Sequence, residues 1–216
     1  MEKIEKLTQF LVSRGVTITR KEDSALMKVI STLLFFAKGF MTDFTTTIGN
    51  HIYVPDSMKD NLEVLCHEFV HIDDARVEGS CWYSFKYLVP QVFALLSLGA
   101  LAAIWCGPYY LFFLVALIFL APWRAKYRRL QELRAYKMSV AVAAWEGLEV
   151  NIDYIVKQYF RGGAYYWMGD KDVHQVLSAS YALAKQGRPL GRPYDTIYCL
   201  LFSQCAKECR CTEMVN

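Results

Sequence analysis

The longest hydrophobic stretch of the chain runs from Leu88 to Trp123 and contains no charged residue over 36 positions. One membrane-spanning helix needs about 20 apolar residues, so this stretch is too long for one helix and long enough for two short ones. The Gly107-Pro108 dipeptide, a strong turn signal, divides it. The pattern therefore predicts a transmembrane helical hairpin whose arms are residues 88–106 and 108–123. The alternative is a buried helical pair in a soluble core.

The charged residues on both sides of this stretch are basic. Lys86 precedes it, and Arg124, Lys126, Arg128 and Arg129 follow it. Because positively charged flanks stay on the cytoplasmic side of a membrane, both ends of the hairpin are expected there. The sequence thus predicts an integral membrane protein, with membrane lipid as one partner. A formal net charge of only +3 over 216 residues gives no reason to expect nucleic-acid binding.

The rest of the chain is predicted to be mainly α with a small β-strand or hairpin. Residues 25–41 are apolar but interrupted by lysines, which favours a buried or interfacial helix. Residues 44–55 are rich in β-branched and aromatic side chains, which predicts a strand or a tight hairpin around Gly49-Asn50. The length fits one domain with an insertion. Residues 1–87 and 124–216 would be its two parts, interrupted by a membrane hairpin at 88–123.

The segment LCHEFVHIDD, residues 65–74, carries the clearest chemical signal. His67 and His71 stand one helical turn apart on the same face, the spacing at which two neutral imidazoles bind one Zn²⁺ ion. Glu68 would lie beside the open coordination position, where it can accept a proton from the attacking water and return it to the leaving amine. The motif predicts zinc-dependent peptide hydrolysis with Glu68 as the catalytic base. The alternative is an ordinary helix with two histidines.

A catalytic zinc site needs a third protein ligand. An H-E-x-x-H-x-x-G-x-x-H extension is excluded because Asp74 and Val77 occupy the positions of its glycine and last histidine. The helix predicted after the hairpin offers Glu132, and the small Ala135 beside it would let that helix approach the motif helix closely. Glu132 is therefore the predicted third ligand, while Asp74 could orient a ligand imidazole. Weaker candidate ligands are Asp73, Asp74, Glu146 and Glu149.

The predicted topology and the predicted site constrain each other. A single membrane crossing between His71 and Glu132 would place them in different compartments, where they could not share a metal ion. A hairpin returns Glu132 to the side of the two histidines. The active site is therefore expected to face the cytoplasm.

The order of these elements resembles the integral-membrane gluzincins, a class that includes the CAAX prenyl endopeptidases and the HtpX-type membrane proteases. The likeness covers roughly residues 44–140, and the short chain is similar to a minimal, phage-type form. It implies an α+β gluzincin core in which His67, His71 and Glu132 hold zinc. The family's second motif is E-x-x-x-D, and here Tyr136 stands at the position of its aspartate. Tyr136 is therefore a candidate neighbour of the ligands.

The resemblance also implies how a peptide or protein substrate would bind. In this family an extended peptide pairs with the edge strand that precedes the motif helix. The corresponding segment is residues 46–53, with candidate contacts at Thr47, Ile48, His51 and Ile52. Groups that stabilise the transition state are expected downstream of the hairpin. The candidates are Tyr165, Tyr166 and His174.

A second function class stays open at the level of sequence. The chain could be a catalytically inactive membrane protein that keeps the zinc-binding scaffold and acts as an interaction or assembly factor. Tyr136, which departs from the family motif, and the unmatched C-terminal region leave this alternative open.

Overall fold

The first part of the chain builds a small sheet flanked by helices. A computed structural model describes residues 2–33, 39–121, 123–161 and 168–203. Helix α1 spans Glu2–Ser13, strand β1 spans Thr17–Arg20 and helix α2 spans Ala25–Leu33. Strands β2 (Thr46–Ile48) and β3 (His51–Val54) follow. The mainly helical fold with a small β element is as predicted.

The β2–β3 hairpin turns at Gly49-Asn50, also as predicted, and pairs its strands antiparallel. Gly49 has a φ of 59°, a left-handed conformation that glycine adopts without a steric penalty. The sheet order is β1-β3-β2, with β1 parallel to β3. Placing His51 and Ile52 on an edge was therefore wrong, because β1 covers that side of β3. Of the predicted substrate-strand residues, only Thr47 and Ile48 lie on an edge strand.

The metal-ligand motif lies on helix α3, which spans Leu62–Glu78. Asn61 caps its start, because the side-chain oxygen accepts a hydrogen bond of 3.2 Å from the Val64 N–H. The helix ends at Gly79, whose φ is 88°, and helix α4 (Ser80–Leu88) begins immediately after it. The short connection keeps α4 packed close to the motif helix.

The uncharged stretch forms two arms, but not the two spanning α-helices expected. The first arm consists of a 3₁₀ segment, Gln91–Ala102, and a short helix α5 (Ala103–Cys106). The second arm is the 3₁₀ segment Pro108–Leu120. Within the described ranges, no single helix is long and apolar enough to cross a membrane. Helix α4 and the first arm meet those criteria only as a pair bent by 89°.

Pro90 accounts for the later start of the first arm. Pro90 has no N–H and disfavours helix for the residue before it, so α4 ends at Leu88 and a separate arm begins at Gln91. The predicted break at Gly107-Pro108 is present, with a φ of 108° at the glycine. The observed arms, residues 91–106 and 108–120, are shorter than the predicted residues 88–106 and 108–123.

The two arms, called the apolar hairpin from here on, pack antiparallel. The ring centroids of Phe93, near its start, and Phe119, near its end, are 5.5 Å apart. Halfway along the arms, a Cβ on Gly99 would lie 2.8 Å from Cγ of Phe113, so glycine allows this close approach. The outer surface of the apolar hairpin is covered with exposed apolar side chains.

Helix α6 (Lys126–Trp145) runs through the centre of the fold and is buried on two sides. One hydrophobic core packs α6 against α1, β3, α3 and a last helix α9 (Tyr194–Leu201). A second core packs it against α7 (Ile152–Ile155), the π-helical turn Val156–Phe160 and α8 (Val173–Lys185). Because α6 is fixed on both sides, its residues facing α3 are held at defined positions.

Candidate metal centre

Helices α3 and α6 bring the three predicted zinc ligands together. Nε2 of His67 lies 3.5 Å from Oε2 of Glu132, and Nε2 of His71 lies 3.7 Å from its Oε1. One ligand atom from each residue falls within 4.8 Å of the others. Ala135, one turn along α6 from Glu132, is fully buried in the core shared with α3. A small side chain there allows the close helix contact that the site requires.

The geometry follows from helical periodicity on both elements. His67 and His71 are separated by four residues, so they project from one face of α3. On α6, Glu132, Tyr136 and Ser139 recur at spacings of four and three residues and form the facing surface. All three contact the histidines of α3.

Both imidazoles are held at their other ring nitrogen by a hydroxyl group. Nδ1 of His71 shares a hydrogen bond of 2.7 Å with the Tyr83 hydroxyl on α4. Nδ1 of His67 shares one of 3.2 Å with the Ser139 hydroxyl on α6. An imidazole that donates from Nδ1 presents the lone pair of Nε2, which is how metal-bound histidines are oriented. Both Nε2 atoms point toward Glu132.

Glu132 has one satisfied oxygen and one that lacks a hydrogen bond. The Tyr87 hydroxyl on α4 donates to Oε1 at 2.5 Å. Oε2 is buried and accepts no hydrogen bond from the described part of the chain. An unsatisfied buried carboxylate oxygen is costly unless a cation compensates it. The exposed fraction of Glu132 is only 2 %. This oxygen lies 3.5 Å from Nε2 of His67, and the other carboxylate oxygen lies 3.7 Å from Nε2 of His71, so the three side chains fit a bound divalent metal ion.

The charges in the site favour an ionised Glu132. Burial acts to raise the pKa of its carboxyl, but His71, His67 and the Tyr87 hydroxyl lower the pKa to about 2. Burial acts to lower the pKa of His67. The nearby carboxylates of Glu132 and Glu68 outweigh burial, so the pKa of His67 is raised. Burial raises the pKa of Tyr83, and the Glu132 charge adds to the effect. Tyr83 is thus kept as a neutral hydroxyl beside His71.

Glu68, the predicted base, is buried next to the ligands and contacts the sheet. Oε2 of Glu68 accepts a hydrogen bond of 2.6 Å from the Thr47 hydroxyl on β2. The buried side chain of Lys21 lies nearby. Its Nζ donates a hydrogen bond of 2.6 Å to the Phe40 carbonyl oxygen and lies 4.0 Å from the centroid of the Phe40 ring. Burial lowers the pKa of Lys21 to about 8, against the opposing effect of Glu68 and Glu22.

Asp74 and Tyr136, the two predicted neighbours of the ligands, differ in what they contact. Asp74 does not orient an imidazole. It accepts two hydrogen bonds, at 2.8 and 2.7 Å, from Arg134, which lies two residues after Glu132 on α6. The Tyr136 ring packs edge-on against His67, with 4.7 Å between the ring centroids. It restrains that imidazole by packing and not through a carboxylate.

The remaining predicted residues lie elsewhere. His174 contacts Asp153 at 3.3 Å and Ser178 at 3.5 Å, and none of its contacts involves the three ligands. Tyr165 and Tyr166 are outside the described residues. The weaker candidate ligands Asp73 and Glu146 form ion pairs with other partners. These are Arg14 and Arg192 for Asp73, and Lys3 for Glu146.

Sequence reasoning missed four residues of the site: Lys21, Tyr83, Tyr87 and Ser139. A signal existed for the two tyrosines, because they stand four apart on α4 directly before the uncharged stretch, at the same spacing as the histidines. Ser139 could have been found as the residue two turns after Glu132. Lys21 carried no local signal, because its burial depends on tertiary packing.

Comparisons with protein-family models, with characterised proteins and with solved structures find no match to this chain.

Proposed function

We propose that the chain is a membrane-anchored, zinc-dependent endopeptidase of the gluzincin type. The observation that carries the proposal is the convergence of His67, His71 and Glu132 within 4.8 Å. A general base, Glu68, stands directly beside the first ligand. This combination supports hydrolysis of a peptide bond over a purely structural metal site, since a structural zinc site is closed by four protein ligands.

The donor set matches the one used by catalytic zinc. Two imidazole nitrogens and one carboxylate oxygen give three protein ligands and leave a fourth position for water or substrate. A bound zinc ion would supply Lewis acidity, which makes a water more acidic and polarises the substrate carbonyl. The hydroxyls of Ser139 and Tyr83 hold the two imidazoles, and the Tyr87 hydroxyl holds the carboxylate. The chain itself therefore preorganises the ligands.

Glu68 would move the proton. Its carboxylate accepts the proton of the attacking water and delivers it to the leaving amine nitrogen, so that the base is regenerated at the end of each cycle. The Thr47 hydroxyl holds Oε2, which leaves Oε1 as the oxygen expected to take the proton.

The proposed substrate is an extended peptide. Strand β2 is an edge of the described sheet, and its Thr47 side chain touches the proposed base. A peptide that pairs with β2 would thus lie beside Glu68, with its main chain held by strand hydrogen bonds. The edge consists of Thr46–Ile48, and His51 and Ile52 support it from the central strand.

The apolar hairpin would anchor the protein in a membrane. Its most exposed apolar side chains include Leu98 (61 %), Trp105 (79 %) and Phe112 (75 %). Continuous apolar surface of this kind marks contact with lipid or with another protein. Basic residues at both ends, and Trp82 and Trp123 nearby, favour lipid, because such residues collect at membrane interfaces.

The metal centre supports one orientation of the hairpin. His71 precedes the hairpin in sequence and Glu132 follows it, yet their side chains lie 3.7 Å apart. Both ends of an inserted hairpin must then be on one side of the membrane. The basic flanks favour the cytoplasm as that side, and this supports an active site that faces the cytoplasm.

The test is the zinc content of the detergent-purified full chain, measured by mass spectrometry, followed by hydrolysis of casein. We expect near-stoichiometric zinc in the wild type and in Glu68→Gln, and its loss in His71→Ala and Glu132→Ala. Glu149→Gln is the matched control, because Glu149, one of the weaker candidate ligands, is exposed and lies outside the group formed by His67, His71 and Glu132. Casein hydrolysis should be lost in Glu68→Gln.

The outcomes separate the function classes. A wild type that binds no zinc after zinc is added back would rule out the metal site and the peptidase together. Zinc without Glu68-dependent hydrolysis of any substrate would favour the second candidate, an inactive zinc scaffold that serves as an interaction or assembly factor.

A further inference from the structure

A continuous set of contacts joins the apolar hairpin to Glu132. The Tyr87 hydroxyl, in the last turn of α4, donates to Oε1 of Glu132 at 2.5 Å. Tyr87 is itself held by Arg128, from the first turn of α6. Arg128 in turn contacts Gln91, the first residue of the apolar hairpin. Three elements that are separate in sequence therefore meet at one buried cation.

The contacts of Arg128 are specific in direction. Its Nε donates to the Tyr87 carbonyl oxygen at 3.1 Å, and its Nη2 donates to Oε1 of Gln91 at 3.3 Å. The guanidinium carbon lies 4.8 Å from the centroid of the Tyr87 ring. Only 3 % of Arg128 is exposed, and 8 % of Gln91. These are buried contacts, so losing one leaves polar groups that water does not easily satisfy.

We propose that Arg128 is a positioning residue of the metal centre. It holds Tyr87 against Glu132 and fixes Gln91 at the start of the apolar hairpin. The affinity for metal therefore depends on the position of the hairpin relative to α4 and α6. The inference rests on the proposed metal site and goes beyond it, because it assigns Gln91 and Arg128 an effect on metal binding that acts through Tyr87.

The chemistry of the side chain explains why an arginine stands there. Its planar guanidinium donates from Nε and Nη2 in two fixed directions at once, toward a carbonyl oxygen and toward an amide oxygen. A lysine has a single nitrogen on a flexible chain and cannot hold both partners in the same geometry. Lysine in place of Arg128 would keep the charge and lose the bridge. This difference separates a positioning role from a general electrostatic one.

The test is the affinity of the full chain for Co²⁺ and Zn²⁺ in detergent, with the visible absorption of bound Co²⁺ as a report on ligand geometry. The variants are Tyr87→Phe, Arg128→Lys, Gln91→Leu and the double variant Tyr87→Phe/Arg128→Lys. Arg188→Lys is the control, because Arg188 is an exposed arginine on another part of the chain. The thermal midpoint of the metal-free protein reports whether each variant folds.

Loss of a residue that orients a metal ligand typically weakens metal binding about 10- to 100-fold. We expect a weakening of about tenfold in Tyr87→Phe, a similar or smaller one in Arg128→Lys, and a few-fold one in Gln91→Leu, with an altered Co²⁺ spectrum in each. Because Arg128 acts through the Tyr87 hydroxyl, adding Arg128→Lys to Tyr87→Phe should weaken binding little further. Arg188→Lys should match the wild type.

Three results would overturn the inference. Wild-type metal affinity and a wild-type Co²⁺ spectrum in Arg128→Lys would show that Arg128 does not position Tyr87 for metal binding. Additive losses in the double variant would show that Arg128 acts by another route. An unchanged metal affinity and Co²⁺ spectrum in Gln91→Leu would show that the apolar hairpin does not influence the metal centre. All three leave the metal site itself in place, whereas a wild type without metal affinity would remove the proposed function and this inference together.

Discussion

The Thr47 hydroxyl and the Glu68 carboxylate, 21 residues apart in sequence, are joined by a hydrogen bond of 2.6 Å. This bond ties an edge strand of the sheet to the helix that carries the proposed metal ligands His67 and His71. It fixes the orientation of the proposed base relative to the strand along which a peptide would lie. In the proposed function, this one contact would set the position of the base relative to the substrate.

Removing the Thr47 hydroxyl should slow catalysis without releasing metal. Hydrogen bonds to charged groups are worth roughly 1.5–3 kcal/mol, so Thr47→Val should lower kcat for casein about tenfold or more. Zinc content should stay at the wild-type level, because Thr47 contacts none of the three ligands. Thr47→Ser, which keeps a hydroxyl, should retain most of the activity. An unchanged or increased kcat in Thr47→Val would contradict this role for the hydrogen bond.

The part of the site that could be predicted from sequence is the part that local periodicity encodes. Spacing of four residues places His67 and His71 on one helical face wherever the helix packs. Glu132 followed from the need for a third ligand and from the small Ala135 beside it. The β2–β3 hairpin followed from its β-branched residues and the glycine turn. These inferences need only short segments of the chain.

The features that sequence could not give depend on contacts between distant segments. Strand β1 has four residues, and its pairing with β3 makes β3 the central strand, so His51 and Ile52 were wrongly assigned to the edge. Asp74 has the chemistry to orient an imidazole, but the position of Arg134 on α6 determines its partner. The arms of the apolar hairpin depend on where Pro90 interrupts the run, which hydrophobicity alone does not reveal.

Tyr83→Phe should weaken metal binding by about 10- to 100-fold, because it removes the hydroxyl that holds Nδ1 of His71 at 2.7 Å. The phenyl ring keeps the packing volume, so the fold should be preserved. Competition for Zn²⁺ with a chelator of known affinity measures the change. Tyr154→Phe serves as the control, since Tyr154 is an exposed tyrosine away from the ligands. Equal affinities in the two variants would show that the hydroxyl does not support the ligand.

Asp74→Asn should cost stability and leave metal affinity unchanged. The variant replaces one partner of the two-bond ion pair between α3 and α6. We expect a loss of about 1 kcal/mol in the free energy of unfolding, because the Arg134 side chain is partly exposed. A double-mutant cycle with Arg134→Gln measures the coupling by denaturant unfolding in detergent.

Asp60→Asn, at an exposed site on the same part of the chain, is the control for this cycle. A tenfold loss of zinc affinity in Asp74→Asn would instead assign Asp74 to the support of an imidazole ligand.

Lys21 should give the protein a distinctive dependence of stability on alkaline pH. Burial lowers its pKa from the usual 10.5 to about 8 in the folded chain. Between these two pH values the unfolded chain holds a proton that the folded chain has released, so this residue makes the free energy of unfolding rise with pH. Over the whole window the contribution is at most about 3 kcal/mol.

Lys21→Met removes the titrating group, so the difference in stability between wild type and variant should move in favour of the wild type from pH 8 to 10.5. Denaturant unfolding at a series of pH values measures it. The readout is the change of this difference with pH, because the variant also loses the contacts of Lys21 with Phe40. Lys171→Met, at an exposed lysine, should run parallel to the wild type. A parallel curve for Lys21→Met as well would mean that Lys21 stays charged throughout, with Glu68 and Glu22 offsetting its burial.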